Sequence, residues 1–161
     1  MPRRYTLLAG LLVGAVIACS AEPLEPSSQA LAGRWRRGPE PQSPTGQLLK
    51  TVDFTEDGHY TVTTEFRGVY PQLSAEAVGS TTSTYGSYVL TGDVLRFAQD
   101  SVRTWDYLTG TSFYAGSGGI YFEGPPTDPI VELTPPRLTL RYSVNPGGGY
   151  VPATETFDRD R

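Results

Sequence analysis

The stretch Thr51-Val52-Asp53-Phe54-Thr55-Glu56-Asp57-Gly58-His59-Tyr60-Thr61-Val62-Thr63-Thr64-Glu65-Phe66 alternates apolar with polar residues on both sides of Asp57-Gly58. A period of two marks a half-buried strand, and Asp-Gly between two such runs is a strong hairpin signal. Strands are therefore expected over 48–55 and 59–69. Val52, Phe54, Tyr60, Val62, Thr64 and Phe66 share one face, and Asp53, Thr55, Thr61, Thr63, Glu65 and Arg67 share the other.

The same rhythm extends outward. A second hairpin is expected over 85–91 and 94–98 around Gly92-Asp93, with Tyr88, Leu90, Leu95 and Phe97 facing in. Alternation returns at 120–123, 130–133, 137–143 and 150–158, where Leu138, Leu140 and Tyr142 share the inner face. A first strand at 33–36 and a less regular one near 102–108 complete the set. Helical spacing is nearly absent. Many short strands broken by turn chemistry at intervals of about 8–12 residues indicate an all-β domain. A single antiparallel up-and-down barrel of about eight strands removes the exposed edges that an open sheet would leave.

Several segments carry a family resemblance in the right order. Leu31-Ala32-Gly33-Arg34-Trp35 resembles the L-x-G-x-W start of small bacterial lipocalin-like domains, and Phe54-Thr55-Glu56-Asp57-Gly58-His59-Tyr60 is similar to their F-x-x-D-G-x-Y hairpin. Gly86-Ser87-Tyr88-Val89-Leu90 before Gly92-Asp93, and Thr156-Phe157-Asp158-Arg159, resemble later elements. The resemblance implies a lipocalin-like barrel over 31–159. It also implies that Trp35 plugs one end of the barrel while Arg159 packs over its indole, both as structural residues.

The start of the chain reads as an export signal: basic Arg3 and Arg4, an apolar run over 7–18, and a small residue before the cut. That run is shorter than the about 20 apolar residues needed to span a bilayer. Its ending, Val16-Ile17-Ala18-Cys19, resembles the lipobox of bacterial lipoproteins. The resemblance implies cleavage of 1–18 and acylation of Cys19, a membrane anchor through lipid at the cell envelope. Ser20 after the cysteine is similar to the pattern of outer-membrane lipoproteins. Cys19 is the only cysteine in the chain, so no internal disulfide competes for it. Two or more acyl chains make attachment stable. Residues 19–30, rich in proline, serine and acid, read as a tether reaching roughly 40 Å at about 3.3 Å per residue.

The 161-residue chain carries a net charge of −4, and losing Arg3 and Arg4 with the signal makes the remainder more acidic. An acidic domain has no basic stripe to neutralise phosphates, which argues against nucleic-acid binding. His59 is the only histidine, and it follows Glu56-Asp57-Gly58 in a turn. A metal site normally gathers three or four geometrically supported ligands, and a nucleophile needs a base, so no metal, cofactor or catalytic residue is expected. The glycine clusters 116–119 and 147–149 open no helix that would cradle a phosphate. Ser117-Gly118-Gly119-Ile120-Tyr121 resembles the S-G-x-x-Y loop of lipidated inhibitors of C-type lysozyme, without that family's second motif or its cysteines.

Two functional readings follow. In the first, the anchored barrel binds a small apolar or amphipathic molecule, with Phe54, Tyr60, Phe66, Tyr88 and Tyr142 as lining residues. In the second, a filled barrel presents loops 68–82 and 108–119 to an envelope protein. Neither is an enzyme. Replacing Cys19 with alanine should abolish incorporation of radiolabelled palmitate and move the chain out of the membrane fraction. Unchanged labelling of C19A would overturn the lipobox reading.

Overall fold

The computed structural model describes residues 26–41, 46–68, 74, 76–116, 128–144 and 149–160. Along the chain run α1 (Ser28–Leu31), β1 (Gly33–Pro41), β2 (Gln47–Phe54), β3 (His59–Arg67), β4 (Val78–Thr91) and β5 (Val94–Asp106). Then follow β6 (Thr111–Gly116), β7 (Ile130–Thr134), β8 (Arg137–Val144) and β9 (Val151–Arg159). The expected export signal, Cys19, the expected strand at 120–123 and the Ser117–Tyr121 motif lie outside the described residues.

Eight strands form a closed antiparallel barrel in the order β1-β2-β3-β4-β5-β7-β8-β9, with β9 returning to β1. The extra strand, β6, pairs with the far half of β5. The Asp57-Gly58 hairpin forms as its sequence dictates: Gly58 takes φ +85°, and β2 and β3 pair without a register slip from Phe54↔Tyr60 to Gln47↔Arg67.

Closure is uneven. β5 meets β7 at one pair, Val94↔Ile130, flanked by backbone hydrogen bonds from Leu95 N–H to Pro129 O and from Val131 N–H to Asp93 O. β9 meets β1 only at Trp35↔Arg159 and Arg36↔Asp158. The nine-stranded sheet is thus a six-stranded piece, β1 to β6, shut by a three-stranded piece, β7 to β9, along two short seams. Few ladder bonds cross these seams, so side chains must hold the pieces together.

They do so at one end of the barrel. Leu31, Trp35, Val52, Phe54, Tyr60, Tyr88 and Leu95 from the larger piece and its helix pack against Val131, Leu133, Leu138, Leu140 and Phe157 from the smaller. The helix starts inside the stretch read as a tether, because Ser27 caps it by accepting a hydrogen bond from Ala30 N–H at 3.0 Å and Leu31 is fully buried. Trp35, with no exposed surface, donates its indole N–H to Leu31 O at 2.7 Å, closing the barrel end with α1. The Arg159 guanidinium lies 5.0 Å from the Trp35 ring centroid and donates to Ala32 O at 2.6 Å.

Four boundaries differ from the sequence reading, the first being β1, which runs past the expected 33–36 to Pro41. β4 begins at Val78, inside the stretch read as loop 68–82, because Ser80 to Thr84 are small hydroxyl residues that show no apolar alternation yet pair with β3 on one side and β5 on the other. The runs read as 94–98 and 102–108 form one strand, β5, bent by a bulge where Tyr85↔Ser101 steps to Gly86↔Gln99. β6 occupies part of the loop read over 108–119.

Truncating Trp35 to alanine removes the largest side chain at the seam between β1 and β9 and should cost about 3–5 kcal/mol. Arg159→Ala, which removes only the cation over the ring and its bond to Ala32, should cost about 1 kcal/mol. Chemical denaturation of the two variants against the parent measures both.

Candidate functional site

The inner wall changes character from one end to the other. Paired residues of neighbouring strands share a face, so the register defines inner rungs across the larger piece. The lowest runs Gly33↔Phe54, Phe54↔Tyr60, Tyr60↔Gly86 and Gly86↔Gln99. The next runs from Trp35 through Val52, Val62 and Thr84 to Val102. The third runs from Arg37 through Lys50, Thr64 and Thr82 to Thr104. Aromatic side chains give way to aliphatic and then to hydroxyl and charged ones.

The lowest rung is part of a packed aromatic cluster. Phe54 meets the Tyr88 ring edge-on at 5.1 Å, and Tyr60 meets Phe97 at 4.8 Å. Tyr88 donates its hydroxyl to Thr55 O at 2.7 Å, tying the β2–β3 turn to β4. Tyr60 lies across Gly86, where an added Cβ would sit 2.7 Å from the Tyr60 Cε1 atom and 2.1 Å from Ala98 O. Only glycine permits this approach. Burial, with a smaller contribution from the Asp100 charge, pushes the Tyr60 phenol up to about 12.

The third rung carries the ionic chemistry. Glu155 on β9, two residues before the buried Phe157, accepts from Arg37 Nη1 at 2.6 Å and from Lys50 Nζ at 2.9 Å. Glu40 takes the remaining guanidinium nitrogens of Arg37, with Nη2 to Oε2 at 3.0 Å. Burial opposes the Arg37 cation, but the Glu40 hydrogen bond and the charges of Glu155 and Glu40 outweigh it and hold its pKa above the ordinary guanidinium value. The Arg37–Glu155 pair spans the stretch of the β1–β9 seam where no ladder pairing continues. It acts as an ionic clasp.

These inward groups are not sealed. The side chains of Arg37, Lys50 and Glu155 keep 26%, 20% and 15% of their exposure, and Thr64, Phe66, Thr82, Thr104 and Tyr142 are all half-buried. Water therefore reaches the inner wall at this end, whereas the opposite end is packed.

Of the five proposed lining residues, Phe54, Tyr60 and Tyr88 belong to the packed core, and Tyr142 lies half-buried against it. Phe66 stands apart, one rung above Thr64 and paired with Leu48 and Ser80. Arg37, Lys50 and Glu155 were not singled out from sequence, although strand parity marks all three: Arg37 follows Trp35 by two, Lys50 precedes Val52 by two and Glu155 precedes Phe157 by two. Their meeting joins residues about a hundred positions apart. Among the described residues no three His, Asp or Glu side chains converge on a metal-sized site.

Outside the barrel, a groove of about 310 Å³ crosses β1 to β3 over the buried Leu49. Its charges largely neutralise one another, with Arg34 on Asp53 at 2.8 Å and Arg67 on Glu65 at 2.6 Å. No protein-family model, curated protein or solved structure matches this chain.

Because Glu155 serves two cations, Glu155→Gln should destabilise the fold more than Lys50→Met does. A cost of about 1–2 kcal/mol is expected for partly exposed charges. The double variant should recover part of that loss by removing the stranded lysine. Urea unfolding of the three variants tests the order.

Proposed function

We propose that this chain is a membrane-anchored, non-enzymatic lipoprotein whose barrel holds a small amphipathic molecule at the cell envelope. The observation that carries the reading is the graded inner wall: an apolar plug at one end and a solvent-reached rung of threonines, Arg37, Lys50 and Glu155 at the other. A wholly apolar molecule would strand those charges without water, at a cost its own burial does not return. An amphipathic one keeps its polar group beside them and sends its apolar part toward Val62 and Val102. The anchor at Cys19 places such a barrel where amphipathic molecules concentrate.

A second reading rests on a separate surface. On the outward side of β4 and β5, Tyr85 and Tyr107 are exposed, Trp105 stacks edge-on to Tyr107 at 6.2 Å, and the Arg103 guanidinium lies 6.0 Å from the Trp105 ring. Tyrosine, tryptophan and arginine are the residues that dominate protein contacts, which favours an envelope protein as partner.

Purifying the full chain in detergent from the host that makes it, then extracting bound small molecules for mass spectrometry, separates the two. A near-stoichiometric amphiphile absent from a mock purification is the expected result. Its absence, with a single protein captured by crosslinking through Trp105 or Tyr107, would overturn the ligand-holding reading.

A further inference from the structure

The groove on the outer face of β1 to β3 holds a cation that the protein leaves unspent. Among the described residues, Arg36 is the only lysine or arginine whose side chain makes no hydrogen bond, ion pair or ring contact. Exposure does not account for this, because Arg34, Arg96, Arg137 and Arg141 keep at least 59% of their side-chain exposure and each still meets a carboxylate. Nor are acids lacking nearby. Asp53, Glu65 and Asp160 line the same groove as Arg36, but Asp53 is taken by Arg34 at 2.8 Å and Glu65 by Arg67 at 2.6 Å, and the Asp160 charge acts on Arg34. The register places Arg36 opposite Thr51 and Thr51 opposite Thr63, on one outward rung that crosses the groove. Both threonines are half-buried, and the Thr63 hydroxyl has only a long contact of 3.4 Å to Ser83. Leu49, outward by strand parity yet 5% exposed, gives the groove an apolar element.

We propose that this groove binds a small hydroxylated monocarboxylate, of which a sugar acid is the simplest case, with its acid group on Arg36. The planar guanidinium matches a carboxylate with two parallel hydrogen bonds, and the threonine hydroxyls on the same rung can donate to it as well. The three wall carboxylates set the rest of the ligand. Their oxygens accept hydrogen bonds from ligand hydroxyls, whereas a second negative charge would meet like charge on both sides of Arg36. A hydroxylated ring also presents C–H groups that can rest on Leu49. Size agrees: the groove holds about 310 Å³, and the two strand spacings from β1 to β3 span roughly 10 Å at about 4.8 Å each. That room suits one six-membered ring with one acid group. The site lies outside the barrel and is independent of the ligand-holding reading of the inner wall.

Glucuronate and glucose share a hydroxylated ring and differ in the acid group. Both are titrated by NMR against the full chain in a non-ionic detergent, with detergent alone as blank. Glucuronate is expected to bind about tenfold or more tightly than glucose, and Arg36→Gln should erase that difference. Arg103→Gln removes another exposed arginine, on β5 and outside the groove, and should keep it. Thr51→Val should weaken glucuronate severalfold. Equal binding of the two probes to the parent, or binding of neither, overturns the site. So does a preference that persists in Arg36→Gln with its circular dichroism unchanged. An equal loss in Arg103→Gln would mean that overall charge, not the groove, attracts the acid, and overturns the site as well. None of these outcomes touches the inner-wall reading, since Arg36 and Arg103 both have outward parity.

Discussion

Trp35 is the point on which the barrel depends. It sits where β1 meets β9, a seam with only two residue pairs, and its indole bonds to the carbonyl of Leu31 while Arg159 covers its face. Backbone pairing alone would leave this seam weak. Burying one large ring between the helix, the first strand and the last strand supplies area and direction together, because the indole N–H fixes how α1 lies across the barrel end. The chain's two described extremities are thereby locked to each other.

The other seam contact follows from the same geometry. Once Trp35↔Arg159 is set, the strands β1 and β9 diverge, and Glu155 is left facing Arg37 and Lys50 across the gap. An ion pair in a fully dry core often costs more than it returns. Here the groups retain partial hydration, so the clasp forms without full desolvation. The same partial hydration gives the inner wall two environments, and the boundary between them falls between the rung of Trp35, Val52 and Val102 and the rung of Arg37 and Lys50.

Much of this architecture was legible in the residues. Period-two alternation located β2, β3, β8 and β9, while Asp57-Gly58 marked the β2–β3 turn and Gly92-Asp93 the β4–β5 turn. Of the expected inner set, Val52, Phe54, Tyr60, Tyr88, Leu95, Leu138 and Leu140 are buried, whereas Phe66, Leu90, Phe97 and Tyr142 are half-buried. What alternation misses is strand made of residues that fit either face. Ser80 to Thr84 carry hydroxyls inside and out, so nothing in their order separates strand from loop, and only pairing to β3 and β5 on both edges does so. The bulge at Gln99–Ser101 likewise interrupts the alternation that would have joined the two halves of β5.

By itself, then, the sequence determined the class of fold, the inner face of most strands and the pairing of Trp35 from the first strand with Arg159 from the last at one end of the barrel, because these depend on local periodicity and on matching short segments. Only the tertiary structure decided which inner residues are packed and which remain wet. That distinction depends on which strands adjoin, how far each seam runs and how the register staggers the rungs. Lys50 and Glu155 have the same parity as their buried neighbours Val52 and Phe157, and they differ only in lying beyond the point where β1 and β9 part.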